Sequence, residues 1–181
     1  MKLKKRCILA VLVRNEYGVV TRISGLFTRR GFNIDSFTGE ETEDPRISRL
    51  TIVAKGDERE LEQIKKQLEK LEDVIKVKEL KPEFSISREL ALIKVRSDAA
   101  NRSDIIQIVN IFRAKIVDVN SRSLVIEITG EKRKIKAMLR LLKPFGIIEI
   151  VRTGLIALQR GNAGIIPGKL RGSVSCSKDL G

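Results

Sequence analysis

The sequence predicts an α+β fold: two ferredoxin-like βαββαβ domains in tandem. Two observations point there. Short apolar runs alternate with amphipathic stretches of helical period in the order β-α-β-β-α-β over the first 80 residues. The same order then returns in the second half, as a repeat of architecture without a residue-level repeat. A length of 181 residues suits two small domains.

Taken in order, residues 7–13, "CILAVLV", form an apolar strand. Over 18–30, Val20, Ile23, Leu26, Phe27 and Arg30 follow helical spacing, with Val20, Ile23 and Phe27 on the inner face. Asn15 stands where an N-cap could, and Gly31 closes the helix as a C′ residue. Segments 33–39 and 46–54 read as strands joined by the acidic turn "EETEDP". Residues 57–72 form a helix with Leu61, Ile64, Leu68 and Leu71 inward, and Asp57 with Glu58 suits its start. A strand at 74–80 completes a first domain, 1–80. "KPEFSIS", 81–87, is the linker. The second domain, 88–158, has a strand at 89–96 and a helix at 101–113 with Ile105, Ile108, Val109 and Phe112 inward. Strands at 115–120 and 123–129, a helix at 131–143 and a strand at 147–152 follow. Residues 159–181 are Gly/Ser-rich and aperiodic, and are expected to be a flexible tail. A four-stranded sheet with both helices on one face leaves its other face or its edges uncovered, so association between halves or chains is expected.

Composition excludes more than it selects. The chain has no histidine, which removes His-based triads, HExxH zinc sites and imidazole proton shuttles. Its two cysteines, Cys7 and Cys176, cannot build a disulfide framework or a zinc knot, and such sparse use suits a reducing cytosol. Cys7 lies in an apolar run and reads as a small buried hydrophobe. "MKLKKRCILAVLV" has the outline of a signal peptide, but "RNEYG" follows with no small-residue cleavage site, so it reads as a strand. No run approaches the roughly 18 apolar residues of a membrane span. The expected location is cytoplasmic.

The net charge of +13 sits mainly in the second half: residues 1–80 carry 17 basic and 14 acidic side chains, and 81–159 carry 15 and 8. Lys132, Arg133, Lys134, Lys136 and Arg140 share the outer face of one helix, opposite Ile135, Met138, Leu139 and Leu142. That face is read first as solvated, then as a surface for an acidic protein; few aromatics accompany the charge, which counts against nucleic acid. "GIIPGKL" (164–170) lacks the spacing and strand–loop–helix setting of a phosphate loop. "EETED" (40–44) lacks the ligand alternation of a calcium loop. No carboxylate pair, Ser or Lys occupies a recognisable catalytic setting, so no metal, cofactor or catalytic residue is assigned to this chain.

One stretch is different: "RNEYGVVTRISGLFTRRGFNIDSF", 14–37. The turn before its helix is suited to an anion, with free N–H groups at the positive end of a helix dipole. Gly18 would let a ligand approach the backbone, and Asn15 and Asn33 each carry donor and acceptor. Ringed by Val19, Val20 and Ile34, such a nook would suit the carboxylate, ammonium and aliphatic side chain of a branched amino acid. An ordinary cap and turn would use the same residues, and the residues alone leave both readings open.

The same stretch, followed by "EDPRISRLTIV", resembles the N-terminal ACT domain of the regulatory small subunit of acetolactate synthase (acetohydroxyacid synthase). The pattern N-E-x-G, then G-L-F-x-R-R-G-[FY]-N-I, then D-P-x-[IL]-S-R-[LM]-T-I carries the resemblance. "RELALIKVR", "IFRAKIVDV" and "VRTGLIALQRG" extend it, so that it covers about residues 5–161. Tyr17 departs from the smaller residue expected at its place in the loop.

The resemblance implies a non-catalytic subunit of branched-chain amino acid biosynthesis. Such a subunit activates the large catalytic subunit, which carries thiamine diphosphate, Mg and FAD, and confers feedback inhibition by valine. One methylene is worth only about 1–3 kcal/mol, so leucine or isoleucine is expected to compete. It also implies a homodimer through the ACT domain, with effector-binding residues Asn15, Gly18 and Val19 of one chain facing Asn33 and Ile34 of the neighbour. No nucleic acid and no membrane are expected as partners. Two rivals are an amino-acid sensor serving another biosynthetic enzyme, and a nucleic-acid binder using the basic charge.

Overall fold

The computed structural model describes residues 5–166. They form two compact units: residues up to Ile86 joined by those from Ala157 onward, and Ser87–Ile156. The first unit runs β1 (Lys5–Arg14), α1 (Val19–Arg29), β2 (Asn33–Glu41), β3 (Ile47–Gly56), α2 (Glu58–Leu68) and β4 (Val74–Glu79). Its four strands are antiparallel in the order β2-β3-β1-β4, so β2 and β4 are the edges. The β-α-β-β-α-β order expected from periodicity is the observed one.

Alternation along β1 explains the packing. Cys7, Leu9, Val11 and Val13 point into a core shared with Ile23, Leu26 and Phe27 of α1 and Ile64 and Leu68 of α2. Leu61 and Leu71 are partly buried against the same core. The intervening Ala10 and Leu12, with Val53 of β3, are fully buried on the opposite face. On that face Arg49, paired in register with Leu12, sends Nη2 to the Ala157 carbonyl at 2.5 Å. Ile165 is buried as well. The segment expected to be a tail therefore includes a strand residue at Gln159 and a buried side chain at Ile165. The rest of that segment, from 167, with Cys176 and the end of "GIIPGKL", lies outside the described residues.

The start of α1 differs from the expected one. Gly18, not Asn15, is the N-cap, in the left-handed region at φ 79°, and it has no side chain with which to cap. With Val19 as the first helical residue, the buried stripe is Val19, Ile23, Leu26 and Phe27. Val20, expected inside, is 53% exposed, because it lies about 100° around the helix from Val19. At the other end Gly31, at φ 67°, donates to the Thr28 carbonyl while Phe32 N–H donates to Phe27, which is a Schellman closure. In α2, Asp57 caps the Glu60 N–H while the Glu60 carboxylate returns to the Asp57 N–H.

The second unit contains most of β5 (Ser85–Arg96), with α3 (Arg102–Ile111), β6 (Lys115–Val119), β7 (Ser123–Gly130), α4 (Lys132–Leu142) and β8 (Ile147–Arg152). Its strand path is β6-β7-β5-β8, and a short strand β9 (Ile156–Gln159) pairs with β5. Ile105, Val109, Ile135, Met138 and Leu142 close the helix side of its core, with Ile108, Phe112 and Leu139 partly buried. Two features differ from expectation. Pro82–Phe84 of the linker is a short 3-10 turn, and β5 begins at Ser85 rather than 89. Polar Ser85 and Glu89 occupy buried positions there, supported by a Ser85 hydroxyl bond to the Lys81 carbonyl and an ion pair from Glu89 to Arg152. No apolar alternation therefore announced those four residues. β9 is too short to show any period.

Candidate functional site

A cleft of about 480 Å³ opens beside the N-terminus of α1 in the first unit. Its apolar lining is Val13, Val19, Val20, Phe37 and Leu50. Its polar lining comprises Arg14, Asn15 and Glu16 ahead of the helix, with Glu40, Glu41 and Ser48 from the β2–β3 hairpin, and Gly39 completes the wall. The size, and the mix of an apolar floor with charged and polar walls, suit a small polar organic ligand.

Each polar group has a physical setting. Because Gly18 offers no side chain, the first-turn N–H groups of α1 lack a capping acceptor, and Val19 N–H reaches Glu16 O only at 3.5 Å. That end of the cleft thus presents backbone donors and the positive end of a helix dipole, the requirements of a carboxylate. Asn15 is oriented differently from a cap. Its Nδ2 donates both to the Glu41 carboxylate and to the Pro45 carbonyl, each at 2.9 Å, and its N–H donates to the Arg46 carbonyl at 2.7 Å. With both amide protons committed, Oδ1 is the side-chain atom left as acceptor, a match for an ammonium. Glu41 and Glu40 add negative charge on the same side. Arg14 and Glu16 bring one charge of each sign to the turn, so the polarity of the cleft rests on the helix-start amides at one end and on Asn15 Oδ1 with Glu40 and Glu41 at the other, the two ends that a zwitterionic amino acid needs.

The hairpin that supports Asn15 is itself held by Asp44. This carboxylate accepts from the Arg46 N–H at 3.0 Å, Nε at 2.9 Å and Nη2 at 2.7 Å. Hydrogen bonding to the Arg46 side chain, then to its backbone, lowers the Asp44 pKa to about 2. The acidic turn 40–44 is thus turn chemistry, and no group of three or more potential metal ligands occurs among the described residues.

Of the five residues expected to bind an effector, Asn15 and Val19 line this cleft. Gly18 sits between them as the N-cap. Asn33 and Ile34 do not join them within one chain: they begin β2, whereas Glu41, bonded to Asn15, ends it. Eight strand steps separate the two ends, roughly 26 Å. Ile34 is half-buried against the core, and a bulge between Ile34 and Ser36 turns the Asp35 carboxylate to Lys55 at 3.0 Å and Arg6 at 3.4 Å. Phe37, Glu41 and Leu50 were not anticipated as lining. Phe37 and Leu50 read as strand core, and Glu41 as part of a solvated turn. Only knowledge of the β2–β3 register could have placed them beside Asn15.

A βαββαβ fold with a ligand-sized cleft at its first helix start is the architecture of an ACT domain, the class to which the first unit belongs. A family model described as an AHAS small subunit-like ACT domain matches residues 9–76, and one described as the small subunit of acetolactate synthase matches residues 88–161. The chain is 53% identical over 156 residues to the probable acetolactate synthase small subunit of Methanothermobacter thermautotrophicus, covering 86% of this chain and 93% of the relative. It is 53% identical over 157 residues to the acetolactate synthase small subunit of Mycolicibacterium smegmatis, with coverage of 87% and 92%. Among solved structures, the acetolactate synthase small subunit of Thermotoga maritima superposes with a TM-score of 0.82 at 45% identity, covering 88% of this chain and 99% of that one. This chain belongs to the acetolactate synthase small-subunit family.

Proposed function

We propose that this chain activates the large, thiamine-diphosphate-dependent subunit of acetolactate synthase and makes it sensitive to valine. The observation that carries the reading is the polarised cleft: unspent helix-start amides on one side, the Asn15 Oδ1 acceptor on the other, and an apolar floor between them. Relatives named as small subunits support a large catalytic partner. Thiamine diphosphate, Mg and FAD belong on that partner. Neither cofactor binding nor catalysis is asked of this chain's own side chains.

The edge position of β2 supports a shared site. A two-fold pairing of β2 with its copy sets the strands antiparallel, so the Asn33 end of one lies against the Glu41 end of the other. Asn33 and Ile34 of the neighbour then complete the cleft that Asn15, Gly18 and Val19 begin. Valine bridging two chains favours one dimer arrangement, and the large subunit prefers the arrangement valine disfavours. Linkage of this kind is worth about 1–3 kcal/mol. Discrimination among branched amino acids is modest, since one methylene is worth about 1–3 kcal/mol.

Reconstitution tests the reading. Adding this chain to the large subunit is expected to raise acetolactate formation, and valine is expected to reverse much of that rise. Binding of an amino acid without activation would instead indicate a sensor for another enzyme. Salt-sensitive binding of nucleic acid with no response to valine would overturn the reading altogether.

A further inference from the structure

We propose that Arg22, which does not line the cleft, is a positioning residue for it: pinned by Asp73, its guanidinium holds the turn 14–18 in the shape that presents the α1 amides to the ligand. This rests on the reading of the cleft as a valine site.

The turn has no hydrophobic anchor. Residues 14–18 are all exposed, and Tyr17 is fully so at 102%. Its shape is therefore set by polar contacts, and these come from two sides. On the hairpin side, Asn15 is bonded to Arg46, Glu41 and Pro45 as described. On the other side stands Asp73, a buried residue at 8% exposure just before β4. Its carbonyl accepts from Arg14 N–H at 2.8 Å, and its carboxylate accepts from Arg22 Nε at 2.5 Å. The same guanidinium donates from Nη2 to the Tyr17 carbonyl at 3.3 Å.

Arg22 also lies against Gly18. A Cβ built on Gly18 would stand 3.0 Å from Arg22 Nη1, so the guanidinium packs where any other residue would place its side chain. One rigid fork thus engages Asp73 at one edge and the turn at the other. A lysine could satisfy Asp73 or Tyr17, but its compact ammonium cannot span both. The Asp73 pair alone would fasten α1 to the entrance of β4. The contacts to Tyr17 and Gly18 add nothing to that fastening, and their consequence falls on the turn.

The test uses the full chain. Valine affinity is measured by calorimetry below the unfolding temperature, and thermal stability is measured in parallel. Arg22→Lys is expected to bind valine about tenfold more weakly, the loss of one charge-assisted hydrogen bond, with little change in stability. Asp73→Asn is expected to weaken both. The exchanged pair Arg22→Asp/Asp73→Arg is expected to recover stability relative to Asp73→Asn without recovering valine affinity, because the guanidinium no longer sits under the turn. Wild-type affinity in Arg22→Lys, or recovery of both properties in the exchanged pair, would overturn the proposal by reducing the contact to a structural pin. Absence of valine binding by the unaltered chain, alone and with the large subunit, would instead remove the valine reading and the role of Arg22 with it.

Discussion

Gly18 meets two constraints at once. Its φ of 79° costs an ordinary L-residue about 1–2 kcal/mol, and its missing Cβ leaves room for the Arg22 guanidinium. Gly18→Asp would add strain, draw Arg22 away from Asp73 and set a carboxylate where the effector carboxylate is expected. We predict loss of valine inhibition with activation retained, measured in the reconstituted enzyme; equal loss of both would argue against separate effector and activation surfaces. Arg113 shows the same backbone requirement unmet. It is the one non-glycine at positive φ among the described residues, at 49°, and it ends α3 as Gly31 ends α1. Arg113→Gly is predicted to stabilise the chain by about 0.5–1 kcal/mol in denaturant unfolding, the relief of strain less the entropy of an added glycine. The chemistry of single residues was partly legible in the sequence. Gly31 as a helix stop and Cys7 as a buried hydrophobe could be read directly, and burial pushes the Cys7 thiol up to about 12. The bonds of Asn15 to the hairpin could not be read, because its side-chain partners Glu41 and Pro45 lie 26 and 30 residues away.

At the scale of elements, periodicity located every α-helix and all but one strand among the described residues, since each presents an apolar stripe to its own core. It misassigned Val20 because the helix phase depends on where the first turn begins, and the turn 14–18 is fixed by polar contacts rather than by pattern. The early start of β5 escaped because polar Ser85 and Glu89 fill its buried positions, and β9, with only four residues, is too short to show a period. The hairpin 42–46 gives a pH prediction. Asp44 titrates below its ordinary value in the folded chain, so its contribution is present above pH about 4 and disappears as pH falls through about 2. Since Arg46 O accepts from Asn15 N–H, the protection of the Asn15 amide relative to its intrinsic exchange rate is predicted to fall across that window, and Asp44→Asn to show the lower protection already at neutral pH. For α2, Asp57→Ala removes half of a capping box and is predicted to cost about 1 kcal/mol in thermal unfolding.

At the scale of the molecule, the first unit's sheet ends in an edge strand whose far end carries the second half of the expected site. Pattern could give the two asparagines and, with the family motif, their common purpose. It could not give their separation of most of a strand's length, which keeps both asparagines out of any one-chain site and makes a two-chain site the central proposal. Mixing two variants tests that claim most directly. Asn15→Ala and Asn33→Ala chains, each alone, should bind almost no valine in a calorimeter. If each site takes one asparagine from each chain, mixed dimers carry one doubly damaged site and one intact site. After random exchange of subunits, about a quarter of the wild-type sites should reappear at wild-type affinity. No recovery on mixing, with mixed dimers verified, would contradict a site shared across the β2 edge.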